Sequence, residues 1–228
     1  MEILRLYHPA NQKIMKGMTM SRFTKTKEKT YKGYQLYEGA KAEEGFSTEI
    51  LDSLLQIVTF TLQRHSQVLM VCLQFNFPAV LNVDGIDNSC FQSFIEAYRR
   101  CLANKGMDPE YLWVRETGTI NDRCHYHLLL LLDGNTIRYF GDPFEVRKYW
   151  LNALKNHFNY DSEVAPLHVQ TLPQMQHGIM IKRSDPSAIS MAIEIGSYLA
   201  KIATKTSIGK YIKTFSTSQC FRRCNNVG

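Results

Sequence analysis

Arg123-Cys124-His125-Tyr126-His127-Leu128-Leu129-Leu130-Leu131-Leu132-Asp133-Gly134 decides how the rest of the chain is read. Five consecutive leucines before an Asp-Gly turn signal predict a buried strand. Side chains two apart on a strand share a face, so His125 and His127 project side by side and Tyr126 points the other way. Two imidazoles on a rigid strand can chelate a metal. They can equally line a sheet face through ordinary hydrogen bonds.

The neighbouring stretch narrows that choice. Tyr111-Leu112-Trp113-Val114-Arg115-Glu116 predicts a short strand, followed by a turn centred on Gly118. So short a turn pairs the two strands antiparallel. Glu116 then lies beside the two imidazoles across the hairpin. Two histidines and one carboxylate suit a divalent cation with open positions: Mg²⁺, Mn²⁺ or an Fe/Zn-type ion. The alternative is a Glu116 paired with Arg115 or Arg123 at a solvent edge.

Outward from this hairpin, helical and strand periods alternate. Ser47 or Thr48 caps a helix carrying Ile50, Leu51, Leu54, Ile57, Val58 and Leu62. A strand over 68–78 ends at a proline. Asp87-Asn88 opens a helix that ends at Lys105-Gly106. Asp142-Pro143 opens another. Two shorter strands are expected at Leu167–Leu172 and Gly178–Lys182, then a helix from Pro186 to about Lys205. This order predicts an α+β fold: a ferredoxin/RRM-like antiparallel sheet of about five strands, helices packed on it, and an N-terminal helical extension. The domain boundaries expected are a basic arm over 1–45, a helix over 46–66, a catalytic core over 67–206 and a basic tail over 207–228.

The chain of 228 residues has a net charge of +6, which leans towards polyanions. Its six scattered cysteines suit free intracellular thiols rather than a disulfide framework. No apolar run of membrane-spanning length and no leader-like segment is seen, so a soluble, cytoplasmic protein is expected. Residues 1–45 read as a flexible, Lys-rich arm. Tyr31, Tyr34 and Tyr37 recur there beside lysines and could stack on the bases of a single strand, although a poorly packed arm or a small edge structure is the favoured reading.

On the last helix, Glu194, Tyr198, Lys201 and Lys205 follow the spacing of one helical face. An amphipathic surface would account for them. Beside a metal triad they gain a use. A phenol is a poor nucleophile at neutral pH, and a cation nearby favours its phenolate. A metal gripping a phosphodiester oxygen would polarise phosphorus, and Tyr198 could then attack it.

His125-Tyr126-His127 resembles the His-hydrophobic-His motif of the HUH endonucleases, and Tyr198-Leu199-Ala200-Lys201 resembles their Tyr-x-x-Lys motif. The order Trp113-Val114-Arg115-Glu116, His125-Tyr126-His127, Tyr198-Leu199-Ala200-Lys201, with the tail Lys213-Thr214-Phe215-Ser216-Thr217-Ser218, is most similar to inovirus-type replication proteins of bacterial prophages. Ser216 stands where that tail usually has glycine. The likeness spans roughly residues 45–220.

The resemblance implies a site-specific DNA endonuclease and strand transferase that initiates rolling-circle replication. Tyr198 would be the nucleophile, with Lys201 beside it. Glu116, His125 and His127 would hold Mg²⁺ or Mn²⁺. Arg115, Arg123, Lys205, Lys210 and Lys213 are expected to contact DNA phosphates. The partners implied are single-stranded or locally melted origin DNA, a separate helicase and a host polymerase, with no membrane. Two rival readings keep the same fold: a non-catalytic nucleic-acid-binding regulator, and a related transposase or relaxase.

Overall fold

The computed structural model describes residues 23–39, 42–83, 85–118, 123–141, 144–161, 169–171, 177–205 and 212–218. Four short strands come first: β1 (Lys25–Thr26), β2 (Thr30–Tyr31), β3 (Tyr34–Gln35) and β4 (Phe46–Ser47). Then follow α1 (Thr48–Arg64), β5 (Gln67–Asn76), α2 (Ser89–Asn104), β6 (Glu110–Thr117), β7 (Cys124–Asp133) and α3 (Phe144–Phe158). The chain continues through β8 (Val169–Thr171), β9 (Ile179–Lys182), α4 (Pro186–Ser197) and β10 (Phe215–Thr217).

Helix starts follow local chemistry. The Ser47 hydroxyl accepts from the Ile50 N–H at α1, and Asp185 caps α4 by accepting from the N–H groups of Ser187 and Ala188. Gly106, with φ +73°, follows α2 where the chain must turn left-handed.

The main sheet has six strands in the order β10-β6-β7-β5-β8, with β9 also paired to β5. All these pairings are antiparallel. β8 meets β5 at Leu73–Phe75 and β9 meets it at Gln67–Met70, so the two share one edge of β5 in succession.

Both faces of the sheet are covered, which explains why Leu128–Leu132 is an unbroken apolar run rather than an alternating one. On one face Leu128, Leu130 and Leu132 join Phe75, Trp113 and Tyr126 beneath α2 and α3. On the other, Leu129 and Leu131 join Val68, Met70, Leu112 and Val114 beneath α1 and α4. The five leucines are 0–2 % exposed. Burying each contributes roughly 1.5–3 kcal/mol, so β7 is anchored at its centre before its polar end is considered.

Two expectations change. The basic arm is no loose appendage where it is described. β1 pairs β4, β2 pairs β3, and Leu36 and Phe46 are buried against α1 and α4. These residues are extended strands and one short 3₁₀ turn at Ala42–Glu44, none of them α-helical, and the helix expected over 46–66 follows as α1. The apolar spacing of Leu36 and Phe46 is too sparse to announce a strand, and their burial depends on the far end of the chain. The basic tail likewise supplies a sheet strand: Phe215, Ser216 and Thr217 pair with Val114, Trp113 and Leu112.

Candidate metal centre and neighbouring tyrosine

The β6–β7 hairpin is closed by the Gly118 N–H donating to the Arg123 carbonyl at 2.8 Å. Its register sets Glu116 directly opposite His125 and Val114 opposite His127. Cross-strand partners share a face, so the carboxylate and both rings lie on the α1/α4 side. Glu116 Oε2 is 3.5 Å from Nε2 of His125 and 3.5 Å from Nε2 of His127. One ligand-type atom from each residue can be chosen so that all three lie within 4.8 Å of one another.

The residues present fit a cation. His127 is 1 % exposed, yet neither ring nitrogen has a hydrogen-bond partner. The 3.5 Å approach to Glu116 is too long to serve. An unsatisfied buried imidazole is costly, and a metal is one of the few occupants that resolves it. Burial also pushes the His127 pKa down, against the raising effect of Glu116, which keeps the ring in the neutral form a metal requires. For Glu116, burial alone would favour the protonated form. The Lys205 cation opposes this first, followed by His125 and His127, and together they hold the carboxyl well below its ordinary range.

Lys205 is itself fully buried. Its Nζ donates to Glu116 Oε1 at 2.7 Å and to the Lys201 carbonyl at 2.7 Å. Burial lowers its pKa while Glu116 raises it, with a net downward shift.

Tyr198 reaches the same place from another element. α4 ends at Ser197, Tyr198–Ala200 forms a 3₁₀ turn, and Lys201 adopts ψ 136°. The helix expected to run on to Lys205 therefore stops early. Ala-Lys-Ile-Ala is a good helical sequence, but tertiary hydrogen bonds override its propensity. Lys201 bridges Phe46, the Ile202 N–H donates to the Gly45 carbonyl, and the Thr117 N–H donates to the Thr204 carbonyl. Glu194, Tyr198, Lys201 and Lys205 consequently do not share one helical face. Glu194 is exposed, whereas both lysines are buried.

The Tyr198 ring stands edge-to-face with His127, centroids 5.6 Å apart, and with Tyr37, centroids 5.2 Å apart. The Lys201 ammonium sits 3.4 Å from the Tyr198 ring centroid, a cation–π placement. Burial pushes the Tyr198 phenol up to about 12, with Glu116, Tyr37 and Cys72 adding to the shift. The metal-free protein therefore keeps this phenol protonated at neutral pH.

The residues expected to meet phosphates separate. Arg115 points to the opposite face from the histidines, is 5 % exposed, and donates to Asn88 Oδ1, the Asp87 carbonyl and the Tyr126 hydroxyl. Arg123 donates to the carbonyls of Pro78, Ala79 and Leu81, holding the loop after β5. Lys205 serves Glu116. Lys213 is exposed, with its ammonium on the Ser216 hydroxyl. Lys210 and Tyr211 lie outside the described residues, as do Cys220 and Cys224. The rule that failed is the equation of a basic residue near the site with a basic residue facing it. Alternation along β6 sends Arg115 away, and Glu116 needs an internal counterion.

Three neighbours of the site were not singled out as part of it. Gln74 and Asn76 on β5 lie opposite His127 and His125 in register, and the Gln74 amide donates to Asn76 Oδ1 at 3.1 Å. Their signal was present: two polar residues two apart, ending an apolar strand. Tyr37 had none beyond its tyrosine-rich surroundings. Its N–H donates to the Ser197 hydroxyl at 2.8 Å, which ties the N-terminal segment to the residue before Tyr198.

Fold and site together define an α+β sheet protein in which a buried His-His-Glu cluster faces a tyrosine flanked by lysine. The chain belongs to the YagK/YfjJ C-terminal domain family, whose model matches residues 26–218. No curated protein matches it. Among the described residues, no helix is long and apolar enough to cross a membrane.

Proposed function

We propose that this protein is a metal-dependent HUH-type endonuclease. It nicks and rejoins single-stranded DNA through Tyr198 and initiates rolling-circle replication of a phage or other mobile element. The observation that carries the reading is the convergence of Tyr198 and Lys201 on Glu116, His125 and His127 from a separate part of the chain. The strand order β6-β7-β5-β8, with α2 and α3 on one face, supports the ferredoxin-like reading of the core.

Glu116, His125 and His127 would hold Mg²⁺ or Mn²⁺, which supplies Lewis-acid polarisation of the scissile phosphate. Tyr198 Oη attacks phosphorus, forming the P–Oη bond as the P–O3′ bond breaks. The phenol gives up its proton to solvent and the departing 3′ oxygen takes one up, leaving a free 3′ hydroxyl. The 5′ phosphate stays on Tyr198, and attack by a 3′ hydroxyl reverses the step and rejoins the strand. Lys201, stacked on the ring, holds the phenol in place and offsets charge developing on its oxygen. Tyr37 and His127 bound the ring edge-on, which restricts its rotation and lowers the entropic cost of alignment. The 3′ hydroxyl would be extended by a host polymerase with a separate helicase, in the cytoplasm.

The test is incubation with single-stranded oligonucleotides tiling the DNA around the gene, in Mn²⁺ or Mg²⁺. The expected result is a denaturation-resistant protein–DNA adduct, absent in EDTA and absent in Tyr198→Phe. DNA binding without an adduct in any metal would instead favour the regulator.

A further inference from the structure

We infer that Lys205 is a positioning residue that fixes Glu116 to offer one oxygen to a metal and locks the tyrosine-bearing segment to that carboxylate. The inference rests on the reading of Glu116 as a metal ligand. Lys205 is a long flexible cation whose side chain is 0 % exposed, so it touches neither solvent nor DNA. Packing does not require it, since an unbranched apolar side chain fills similar space without a buried charge. What it does is specific. It occupies Glu116 Oε1 at 2.7 Å and leaves Oε2, the oxygen 3.5 Å from both histidine Nε2 atoms. With Oε1 committed to an ammonium, the carboxylate presents a single oxygen to a cation, and coordination positions stay open for substrate.

The second hydrogen bond extends the effect to the nucleophile. Lys205 Nζ also donates to the Lys201 carbonyl, in the turn that follows Tyr198. One residue along each chain, the Thr117 N–H donates to the Thr204 carbonyl at 2.9 Å. The end of β6 therefore carries both the carboxylate and the anchor of the 201–205 segment. The position of Tyr198 relative to the histidines is set through that joint.

Removing the ammonium has two opposed consequences. The cation site loses a competing positive charge, and a bound dication takes over from the ammonium in keeping the buried Glu116 carboxylate ionised, so a divalent cation binds as well or better. The carboxylate gains freedom to use both oxygens and the segment loses its tie, so chemistry suffers. A merely structural lysine would lower both together.

The experiment compares full-length wild type, Lys205→Met, Glu116→Gln and the double variant. Mn²⁺ affinity is read from the electron paramagnetic resonance of free Mn²⁺, and adduct rate is read at saturating Mn²⁺. For Lys205→Met the expected result is Mn²⁺ affinity equal to or tighter than wild type, with the saturating adduct rate reduced tenfold or more. An unchanged saturating rate overturns the proposal, and so does a tenfold loss of Mn²⁺ affinity. Melting supplies the safeguard against misfolding. The double variant removes both charges and is expected to melt above Lys205→Met. If Lys205→Met does not fold and Glu116→Gln fails to rescue it, the lysine acts independently of Glu116 and the proposal falls. Wild type that binds Mn²⁺ yet forms no adduct breaks the nuclease reading alone, leaving the Mn²⁺ comparison in force.

Discussion

Arg115 and Glu116 are neighbours on β6, both are charged, and both are buried, yet they sit in opposite kinds of surroundings. On the α2/α3 face, Arg115 donates to Asn88, Asp87 and Tyr126, the Tyr126 hydroxyl donates to Asn88 at 2.9 Å, and the Tyr126 ring stacks on Phe91 with centroids 4.0 Å apart. Donors and acceptors close on one another. On the α1/α4 face, Glu116 is served by Lys205, but His127 keeps two unsatisfied ring nitrogens and Tyr198 stands beside it as a protonated phenol. A closed polar network stabilises a fold; one with an unmet valence marks where a ligand enters. The same pair separates Tyr126 from Tyr198. Burial pushes both phenols up, but only Tyr198 borders the open cluster.

That contrast can be broken most sharply at the nucleophile. Tyr198→Phe is expected to abolish the covalent adduct on a denaturing gel while leaving oligonucleotide binding and melting near wild type. Next, His127→Ala should abolish Mn²⁺ binding measured by calorimetry and with it all nicking. If Mn²⁺ binding survives unchanged, the open cluster is not a metal site.

On the closed face the expectation is reversed. Arg115→Met takes the guanidinium donor from the Asp87 carbonyl and leaves Asn88 Oδ1 with the Tyr126 hydroxyl alone, costing about 1–3 kcal/mol in denaturant unfolding, while the folded variant keeps its Mn²⁺ affinity. Acid behaviour in EDTA sharpens the comparison further. The folded Glu116 pKa is depressed, so its stabilisation is present above the unfolded carboxyl pKa and is lost as pH falls through the folded value. Glu116→Gln should therefore flatten the acid limb of a melting-temperature profile, whereas Arg115→Met should not.

The smallest effect is expected at Gly39. A side-chain carbon there would fall on the Tyr37 phenol ring, which must then shift from the place where it meets Tyr198 edge-to-face. An edge-to-face pair is worth about 0.5–1.5 kcal/mol, so Gly39→Ala should slow adduct formation by up to roughly tenfold. An unchanged single-turnover rate would show that Tyr37 does not hold the nucleophile.

Much of the candidate site was legible because it is built on strands. Period-two alternation puts His125 and His127 on one face, and a short hairpin places Glu116 across from them, so three of the four clustered groups follow from local rules. Tyr198 was legible as a residue type but not as a position. Its place depends on α4 stopping at Ser197, and that stop depends on Gly45, Phe46 and Thr117, residues eighty or more positions upstream. Charge and proximity alone point Arg115, Arg123 and Lys205 towards DNA, whereas all three are engaged by protein groups. Strand alternation could have turned Arg115 away in advance. Nothing local could have buried Lys205.

By itself, then, the sequence determined the α+β alternation, the apolar strand of five leucines and the His-Tyr-His pairing across from Glu116. These follow from periodicity and from the short reach of a hairpin. Only the tertiary structure decided which buried charges satisfy each other and which remain open. It folded residues 23–39 and 42–47 onto the core, ended α4 beside His127, and drew Lys205 inward to Glu116. Those outcomes are set by hydrogen bonds and charge pairs between segments far apart in the chain, and no local pattern encodes which distant partner will win.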